Sequence, residues 1–262
     1  MARIIAVANQ KGGVGKTTTT INLAASLALG DQRILLVDVD PQGNLTSGVG
    51  QKGKASPAGT IYVALTTLDP TTDAHPFIIP TGMAHMQLIP ADRNLTGAEI
   101  EMVALSGREE RLRSLLASVR DDFDYIFIDC PPSLGLLTLN ALVAADAVLI
   151  PLHCEYFALE GLADLVGTMR RVRAAFNPAL DIEGVLLTMF DERTNLGQQV
   201  AADVRQFFKD KVFRTVIPRN VRLGEAPSHG LPVILYDVKS RGAEAYLALA
   251  REVLERSAAT AA

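Results

Sequence analysis

A glycine-rich segment near the amino terminus constrains the fold of this chain more than any other feature. Gly12, Gly13 and Gly15 are followed directly by Lys16, and a second lysine, Lys11, stands immediately before them. A short apolar run precedes the segment and a helix-like run follows it. Glycines let backbone N–H groups turn toward an anion, and the start of the following helix adds partial positive charge. The segment therefore predicts a phosphate-binding loop between a strand and a helix.

Composition indicates a folded protein with a large core. Of the 262 residues, 48% are hydrophobic and 21% are charged, and the net charge is −4. Binding to a polyanion must therefore depend on a local basic patch rather than on the overall charge of the protein. The two cysteines, Cys130 and Cys154, fit neither a disulfide framework nor zinc spacing. With no leader or membrane-spanning run evident, we expect a cytoplasmic protein that does not bind membranes.

Short apolar runs alternate with longer amphipathic ones along the whole chain. The runs are nearly continuous in hydrophobicity, which is typical of strands covered on both faces. The pattern predicts a doubly wound, mostly parallel α/β sheet with helices on both faces, in one domain spanning residues 1–262. The predicted strands are residues 4–8, 34–38, 86–89, 125–129, 147–152, 182–189 and 212–217. The predicted helices are residues 17–29, 95–105, 109–119, 136–145, 158–176, 196–208 and 241–257.

Three aspartates follow or end predicted strands and are candidates for metal and water chemistry. Asp129 ends an apolar strand, where such an acid holds Mg²⁺ through water, and Thr17 supplies the hydroxyl that phosphate loops place on the metal. Asp38 and Asp40 follow the second strand and point the same way on an extended backbone. We expect Asp40 to position an attacking water and Asp38 to anchor the turn that follows the second strand. A water-mediated contact with the metal is a second expected role of Asp38.

Several motifs together resemble a known family. They are residues 11–18 (Lys-Gly-Gly-Val-Gly-Lys-Thr-Thr), 38–44 (Asp-Val-Asp-Pro-Gln-Gly-Asn) and 125–132 (Tyr-Ile-Phe-Ile-Asp-Cys-Pro-Pro). Further matches lie in residues 155–161, 189–195 and 217–230. The chain resembles the deviant Walker ATPases, and within them the ParA/Soj chromosome-partitioning group of P-loop proteins. The resemblance runs nearly end to end.

The resemblance implies an ATPase that works as a dimer. In this group two subunits close face to face around ATP and Mg²⁺, and the signature lysine, here Lys11, reaches the partner's nucleotide. Lys16 would hold the phosphates of its own subunit, and Asp40 would position the water. The implied ATP-binding residues are Lys11, Gly12, Gly13, Val14, Gly15, Lys16, Thr17, Thr18, Pro218 and Asn220, the last two beside the adenine.

The resemblance also implies DNA and protein partners. Arg193 and Arg222 match arginines that bind double-stranded DNA without sequence preference in the dimer, although a lone surface arginine is ordinarily a solvated charge. A ParB-type centromere-binding protein would stimulate a slow basal hydrolysis, and the protein would associate with the nucleoid. The first strand starts too early for an amino-terminal helix-turn-helix domain, so we expect no operator reader.

Two other functions share the loop and remain open from the sequence. A MinD-like division-site ATPase would bind membranes through a carboxyl-terminal amphipathic helix, but the last residues here lack a basic and aromatic face. An iron–sulfur-scaffold ATPase would present cysteines toward a dimer axis. Cys130 and Cys154 both follow strands, yet a single buried cysteine is more often a small hydrophobic residue.

Overall fold

The fold is built on one seven-stranded sheet. The computed structural model describes residues 1–67, 73–155 and 158–261, with side chains through residue 258. Tyr156 and Phe157 of the family motif at 155–161 lie outside these ranges. The strands are β1 (Arg3–Val7), β2 (Ile34–Asp38), β3 (Ile79–Pro80), β4 (Met86–Ile89), β5 (Tyr125–Asp129), β6 (Ala147–His153) and β7 (Asp181–Thr188).

Helices connect the strands as in other parallel sheets. They are α1 (Lys16–Ala28), α2 (Asn44–Gly48), α3 (Ile61–Thr66), α4 (Leu95–Glu101), α5 (Arg111–Ala117), α6 (Leu136–Ala144), α7 (Ala158–Ala175), α8 (Asn195–Phe208), α9 (Val221–Glu225), α10 (Val233–Tyr236) and α11 (Arg241–Ala261). The strand order is β3-β4-β2-β5-β1-β6-β7, and every neighbouring pair is parallel except β3 with β4. The predicted fold class is confirmed.

Both faces of the sheet are buried, as the continuous apolar strands predicted. Along β1, Ile4 and Ala6 pack into one apolar cluster, whereas Ile5 and Val7 pack into another on the opposite face. Helices α3 to α8 contribute to the first cluster, and α1, α2 and α9 to α11 contribute to the second. Because side chains of a strand alternate between faces, one apolar run supplies both cores. The carboxyl ends of the strands therefore share one edge, where the phosphate loop also lies.

The predicted strand at residues 212–217 is wrong. The segment touches β7 only intermittently, through Phe213 N–H to the Val185 carbonyl (3.0 Å) and Ile217 N–H to the Leu187 carbonyl (2.9 Å). Between these contacts, the N–H groups of Arg214 and Thr215 donate to the Glu252 carboxylate at 2.8 and 3.0 Å. Backbone donors that a strand would use are thus satisfied by a side chain from α11.

Other differences concern element ends and short elements. The helix predicted over 95–105 ends at Glu101 and continues as a single 3₁₀ turn, Met102–Ala104. The helix predicted over 109–119 spans only Arg111–Ala117. Periodicity did not reveal the antiparallel edge strand β3 or the short helices α2, α3, α9 and α10, because they are too short to show a repeat.

Replacing Glu252 tests this account of the 212–217 segment. Glu252 is 3% exposed, and its carboxylate also accepts from Arg256 at 2.8 Å. Glu252→Ala leaves two backbone donors unmatched, so we expect the free energy of unfolding to fall by about 2–4 kcal/mol in urea titrations. Glu255→Ala removes an exposed pair with Arg214 and should change it by less than about 1 kcal/mol. Equal effects of the two substitutions would contradict this account.

Candidate nucleotide-binding site

A cleft of about 550 Å³ opens at the carboxyl edge of the sheet. Most of the phosphate loop lines it: Gly12, Gly13, Gly15, Lys16, Thr17 and Thr18. Other predicted site residues that line it are Asp40, Pro218 and Asn220. The structure therefore brings together three segments that are separated by up to about two hundred residues. Their convergence beyond the strand ends is where open α/β sheets bind ligands.

The phosphate loop has the backbone conformation that only glycine adopts easily. Gly13 and Gly15 have φ of 74° and 89°, in the left-handed region. The buried Val14 between them is fixed by its carbonyl, which accepts a hydrogen bond from the Thr188 hydroxyl at 2.8 Å. Asn9 fixes the start of the loop, because its Oδ1 accepts from Lys11 N–H at 2.9 Å while its Nδ2 donates to the Pro151 carbonyl at 2.7 Å. The ends of β6 and β7 thus hold the loop in shape.

Lys16 is a buried cation at the floor of the cleft. The residue is 7% exposed, and its Nζ donates to the carbonyl of Lys11 at 3.3 Å. Burial lowers the pKa of Lys16, and the nearby Asp129 carboxylate opposes this effect. An ammonium removed from water in this way is stabilised by an anion entering the cleft. This arrangement fits the predicted role of Lys16 as the phosphate-holding lysine of its own subunit.

Asp129 is fully buried directly behind the loop. Its Oδ2 accepts a hydrogen bond from the Thr17 hydroxyl at 2.7 Å, and its Oδ1 accepts from the Thr20 hydroxyl at 3.0 Å. A threonine hydroxyl facing the cleft and a carboxylate one hydrogen bond behind it are the ligand types that Mg²⁺ uses beside phosphates. The two side chains fit the predicted magnesium site. Within the described ranges, no cluster of three or more His, Cys, Asp or Glu side chains could hold a metal ion alone.

Asp38 and Asp40 differ in burial and in the groups that they contact. Asp38 is fully buried: its Oδ1 accepts from Asp40 N–H at 3.2 Å, and its Oδ2 accepts from Thr46 N–H at 2.8 Å and the Thr46 hydroxyl at 2.7 Å. It therefore anchors the turn that follows β2. Asp40 lines the cleft, and its Oδ1 accepts from Gln42 N–H at 2.9 Å. The geometry favours anchoring for Asp38, while its water-mediated metal contact stays a prediction.

The end of the cleft opposite the phosphate loop is mostly apolar, with Arg219 as its charged residue. Met189, Ile217 and Leu223 line it together with Pro218 and Asn220. The Asn220 side chain caps α9 by accepting a hydrogen bond from Arg222 N–H at 3.0 Å. The amide nitrogen of Asn220 can then donate to a ligand, because the oxygen serves the cap.

Lys11 does not line the cleft floor but stands at its lip. Its Nζ forms an ion pair with the Glu155 carboxylate, whose other oxygen lies 2.9 Å from Nδ1 of His153. Sequence reasoning missed Glu155 as a partner of Lys11, because the two residues are 144 positions apart. It also missed Thr20, although the run Thr17–Thr20 places two hydroxyls three residues apart on one helix face.

Arg193 and Arg222 are both paired with neighbouring acids. Arg193 is 89% exposed and contacts Asp191 at 2.7 Å. Arg222 contacts Glu225 at 2.7 Å and Asp237 at 3.3 Å. Exposed pairs of this kind are weak, and an incoming phosphate competes with the acid for the guanidinium. The pairing leaves both arginines eligible as DNA contacts, which stays a prediction.

Both cysteines are buried within the sheet core. Burial raises the pKa of the Cys130 thiol far above its usual range, and raises that of Cys154 to about 11. Cys130 is 1% exposed and Cys154 is 8% exposed, so neither presents its thiol at the surface as the iron–sulfur alternative requires. No helix in the described residues is both long enough and apolar enough to span a bilayer.

The buried carboxylates predict a pH dependence of stability. Burial raises the pKa of Asp38 to about 6, and burial with the adjacent Asp38 charge raises that of Asp129 to about 8. Both values lie above the usual value of about 4 for an unfolded aspartate, so the native state binds more protons. The stabilisation from proton binding is complete below about pH 4 and is lost as pH rises through the folded pKa values.

We expect nucleotide-free and magnesium-free protein to lose about 2 kcal/mol of unfolding free energy between pH 6 and pH 8 from Asp129. Asp129→Asn should remove this loss in urea titrations at the two pH values. Asp164→Asn, which changes an exposed carboxylate on α7, should keep it. An Asp129→Asn variant with the same pH dependence as the parent would contradict the assignment.

Comparisons with known proteins agree with this geometry. A family model described as an AAA domain matches residues 2–182. The chromosome partitioning protein ParA of Myxococcus xanthus is 57% identical over 98% of this chain and 89% of its own length. The sporulation initiation inhibitor protein Soj of Bacillus subtilis is also 57% identical, over 97% of this chain and 98% of its own.

Solved structures give the same fold. A cobyrinic acid a,c-diamide synthase from Mycobacterium smegmatis, with bound ADP and magnesium, superposes with a TM-score of 0.81 and 39% identity over 97% of this chain and 94% of that one. The cell division ATPase MinD of Pyrococcus furiosus superposes with a TM-score of 0.79 and 26% identity over 97% of this chain and 99% of that one. The identity with ParA and Soj over nearly the whole length is decisive: the chain belongs to the ParA/Soj family of chromosome-partitioning P-loop ATPases.

Proposed function

We propose that this protein is a Mg²⁺-dependent ATPase that segregates DNA by switching between a monomer and an ATP-bound sandwich dimer. The dimer binds double-stranded DNA without sequence preference, and hydrolysis releases it. The observation that carries the proposal is that two lysines occupy different depths at one cleft. Lys16 is buried at the floor, whereas Lys11 stands half-exposed at the lip, where a second subunit can be reached.

The predicted site residues of the cleft have distinct roles in this scheme. Lys16 and the N–H groups of the loop hold the phosphates of the same subunit. Pro218 and Asn220 contact the adenine. Thr17 and Asp129 would hold Mg²⁺, the aspartate through water, and Asp38 would make a second water-mediated contact. When bound, Mg²⁺ would neutralise negative charge that develops on the phosphates during hydrolysis.

The remaining two residues supply catalysis. Asp40 accepts a hydrogen bond from the attacking water and orients it in line with the γ-phosphate. Lys11 donates to the phosphates bound by the partner subunit, where its charge stabilises the transition state as an arginine finger does. Because Lys11 acts only across a closed dimer, a monomer is a poor catalyst. Basal turnover is therefore slow, which suits an ATPase that works as a timed switch.

The dimer is also the DNA-binding form. Two subunits present four arginines, Arg193 and Arg222 from each, and arginine–phosphate contacts position a protein without reading bases. Such binding places the protein on the nucleoid. A ParB-type centromere-binding protein stimulates hydrolysis and so resets the switch. The fold of residues 1–262 acts as one ATPase domain in this scheme.

Asp40→Ala separates nucleotide binding from hydrolysis. We expect the variant to keep ATP affinity and form a long-lived dimer on DNA, because the phosphate contacts are intact. Phosphate release should fall by about 10²-fold or more, the usual effect of removing a group that accepts a proton in the transition state. Lys16→Ala is the opposite control and should lose ATP binding and dimerisation together. Turnover at the parental rate by Asp40→Ala would remove Asp40 from its role.

Arg222→Glu tests the DNA surface. We expect the variant to dimerise with ATP as the parent does while its DNA affinity collapses in gel shifts on unrelated duplexes. Arg33→Glu is the matched control, because Arg33 precedes β2 at the opposite edge of the sheet.

Salt dependence adds a quantitative check for the parent protein. Four neutralised phosphates predict a slope of about −3.6 in log affinity against log salt, or roughly a hundredfold loss between 50 and 200 mM. Equal binding by Arg222→Glu and the parent, or a slope near zero, would contradict the proposed surface.

A further inference from the structure

The ion pair at the lip of the cleft has a geometry that the proposed catalytic scheme does not explain. Lys11 must reach the nucleotide of a second subunit, yet its Nζ is paired with Glu155 of its own chain. The other oxygen of the Glu155 carboxylate lies 2.9 Å from Nδ1 of His153, at the end of β6. Lys11 is thus held by an acid of its own subunit.

The charges around Lys11 and Glu155 favour this ion pair in the absence of a triphosphate. Glu155 stands beside Lys11 and His153, with Arg219 close enough to act on it electrostatically, and Arg219 lines the cleft. The hydrogen bond from Lys11 lowers the pKa of Glu155, so the carboxylate is ionised at neutral pH. A carboxylate at this place repels an approaching triphosphate and competes with it for the lysine.

We propose that Glu155 is a positioning residue that restrains Lys11 in cis, so that closing the sandwich requires the Lys11–Glu155 pair to break in both subunits. This inference rests on the proposed function, because it assigns a regulator to the lysine that acts in trans. The restraint weakens dimerisation at low ATP and favours the open monomer.

The expected size of the effect on dimerisation follows from the solvent exposure of the two paired side chains. The side chains of Lys11 and Glu155 are 36% and 47% exposed, and pairs of this kind contribute up to about 1 kcal/mol, or about fivefold in an equilibrium constant. Two pairs break for each dimer formed. Glu155→Gln should therefore lower the dimer dissociation constant by about 4- to 25-fold.

The experiment has two arms on the full-length protein. The first measures the rate at which an amine-reactive ester modifies Lys11 in the nucleotide-free monomer, with the exposed Lys52 as an internal reference. Glu155→Gln should raise the Lys11 rate about 2- to 5-fold relative to Lys52. The second arm measures the dimer dissociation constant by sedimentation with Mg²⁺ and a non-hydrolysable ATP analogue. It includes Glu160→Gln, which removes the same charge from an exposed position on α7.

We expect Glu155→Gln to dimerise more tightly than the parent and Glu160→Gln to dimerise as the parent does. The difference in dissociation constant between Glu155→Gln and the parent should shrink from 50 to 500 mM salt, because screening weakens exposed pairs. An unchanged Lys11 rate contradicts the ion pair. A raised rate with unchanged or weaker dimerisation contradicts the restraint while leaving the proposed function intact. A parent protein that stays monomeric contradicts the proposed function and the restraint together.

Discussion

Burial of ionisable side chains at one edge of a parallel sheet is the constraint on which the rest of the structure depends. Asp38 and Asp129 end neighbouring strands and stand in register, and Lys16 opens the helix packed beside them. Hydrogen bonds from Thr17, Thr20 and Thr46 satisfy the two carboxylates, yet burial still raises their pKa values. The edge is therefore electrostatically incomplete without a ligand. In the proposed function, magnesium beside a phosphate chain would supply the missing charges of both signs.

The three cations proposed to act in catalysis or DNA binding follow a different rule, since each is paired with an acid of its own chain. Lys11 pairs with Glu155, Arg193 with Asp191, and Arg222 with Glu225. These pairs are weak in water, and phosphates can replace the acids. The isolated chain thus keeps its reactive cations in local pairs. We propose that phosphate of a nucleotide or of DNA releases them, which would link ATP, dimerisation and DNA binding through one kind of exchange.

How much of the fold and the site could be predicted from the sequence depends on how far apart in the chain the interacting residues lie. The phosphate loop is contiguous, so its glycines, Lys16 and the flanking strand and helix were predictable, and the apolar runs predicted the sheet. The segment at 212–217 reads as a strand, but Glu252 from α11 binds its N–H groups, and no local pattern reveals that partner. Glu155 was missed for the same reason. By contrast, the acids beside Arg193 and Arg222 lie two and three residues away and could have been anticipated.

The central claim is that a triphosphate, and not a diphosphate, joins two copies through Lys11. Light scattering on the purified protein tests it most directly, with magnesium and either a non-hydrolysable ATP analogue, ADP or no nucleotide. The account predicts the mass of two chains with the analogue and of one chain in the other two conditions, with Lys11→Ala monomeric throughout. A single-chain mass at saturating analogue, or a dimer that forms equally well with ADP, would contradict it.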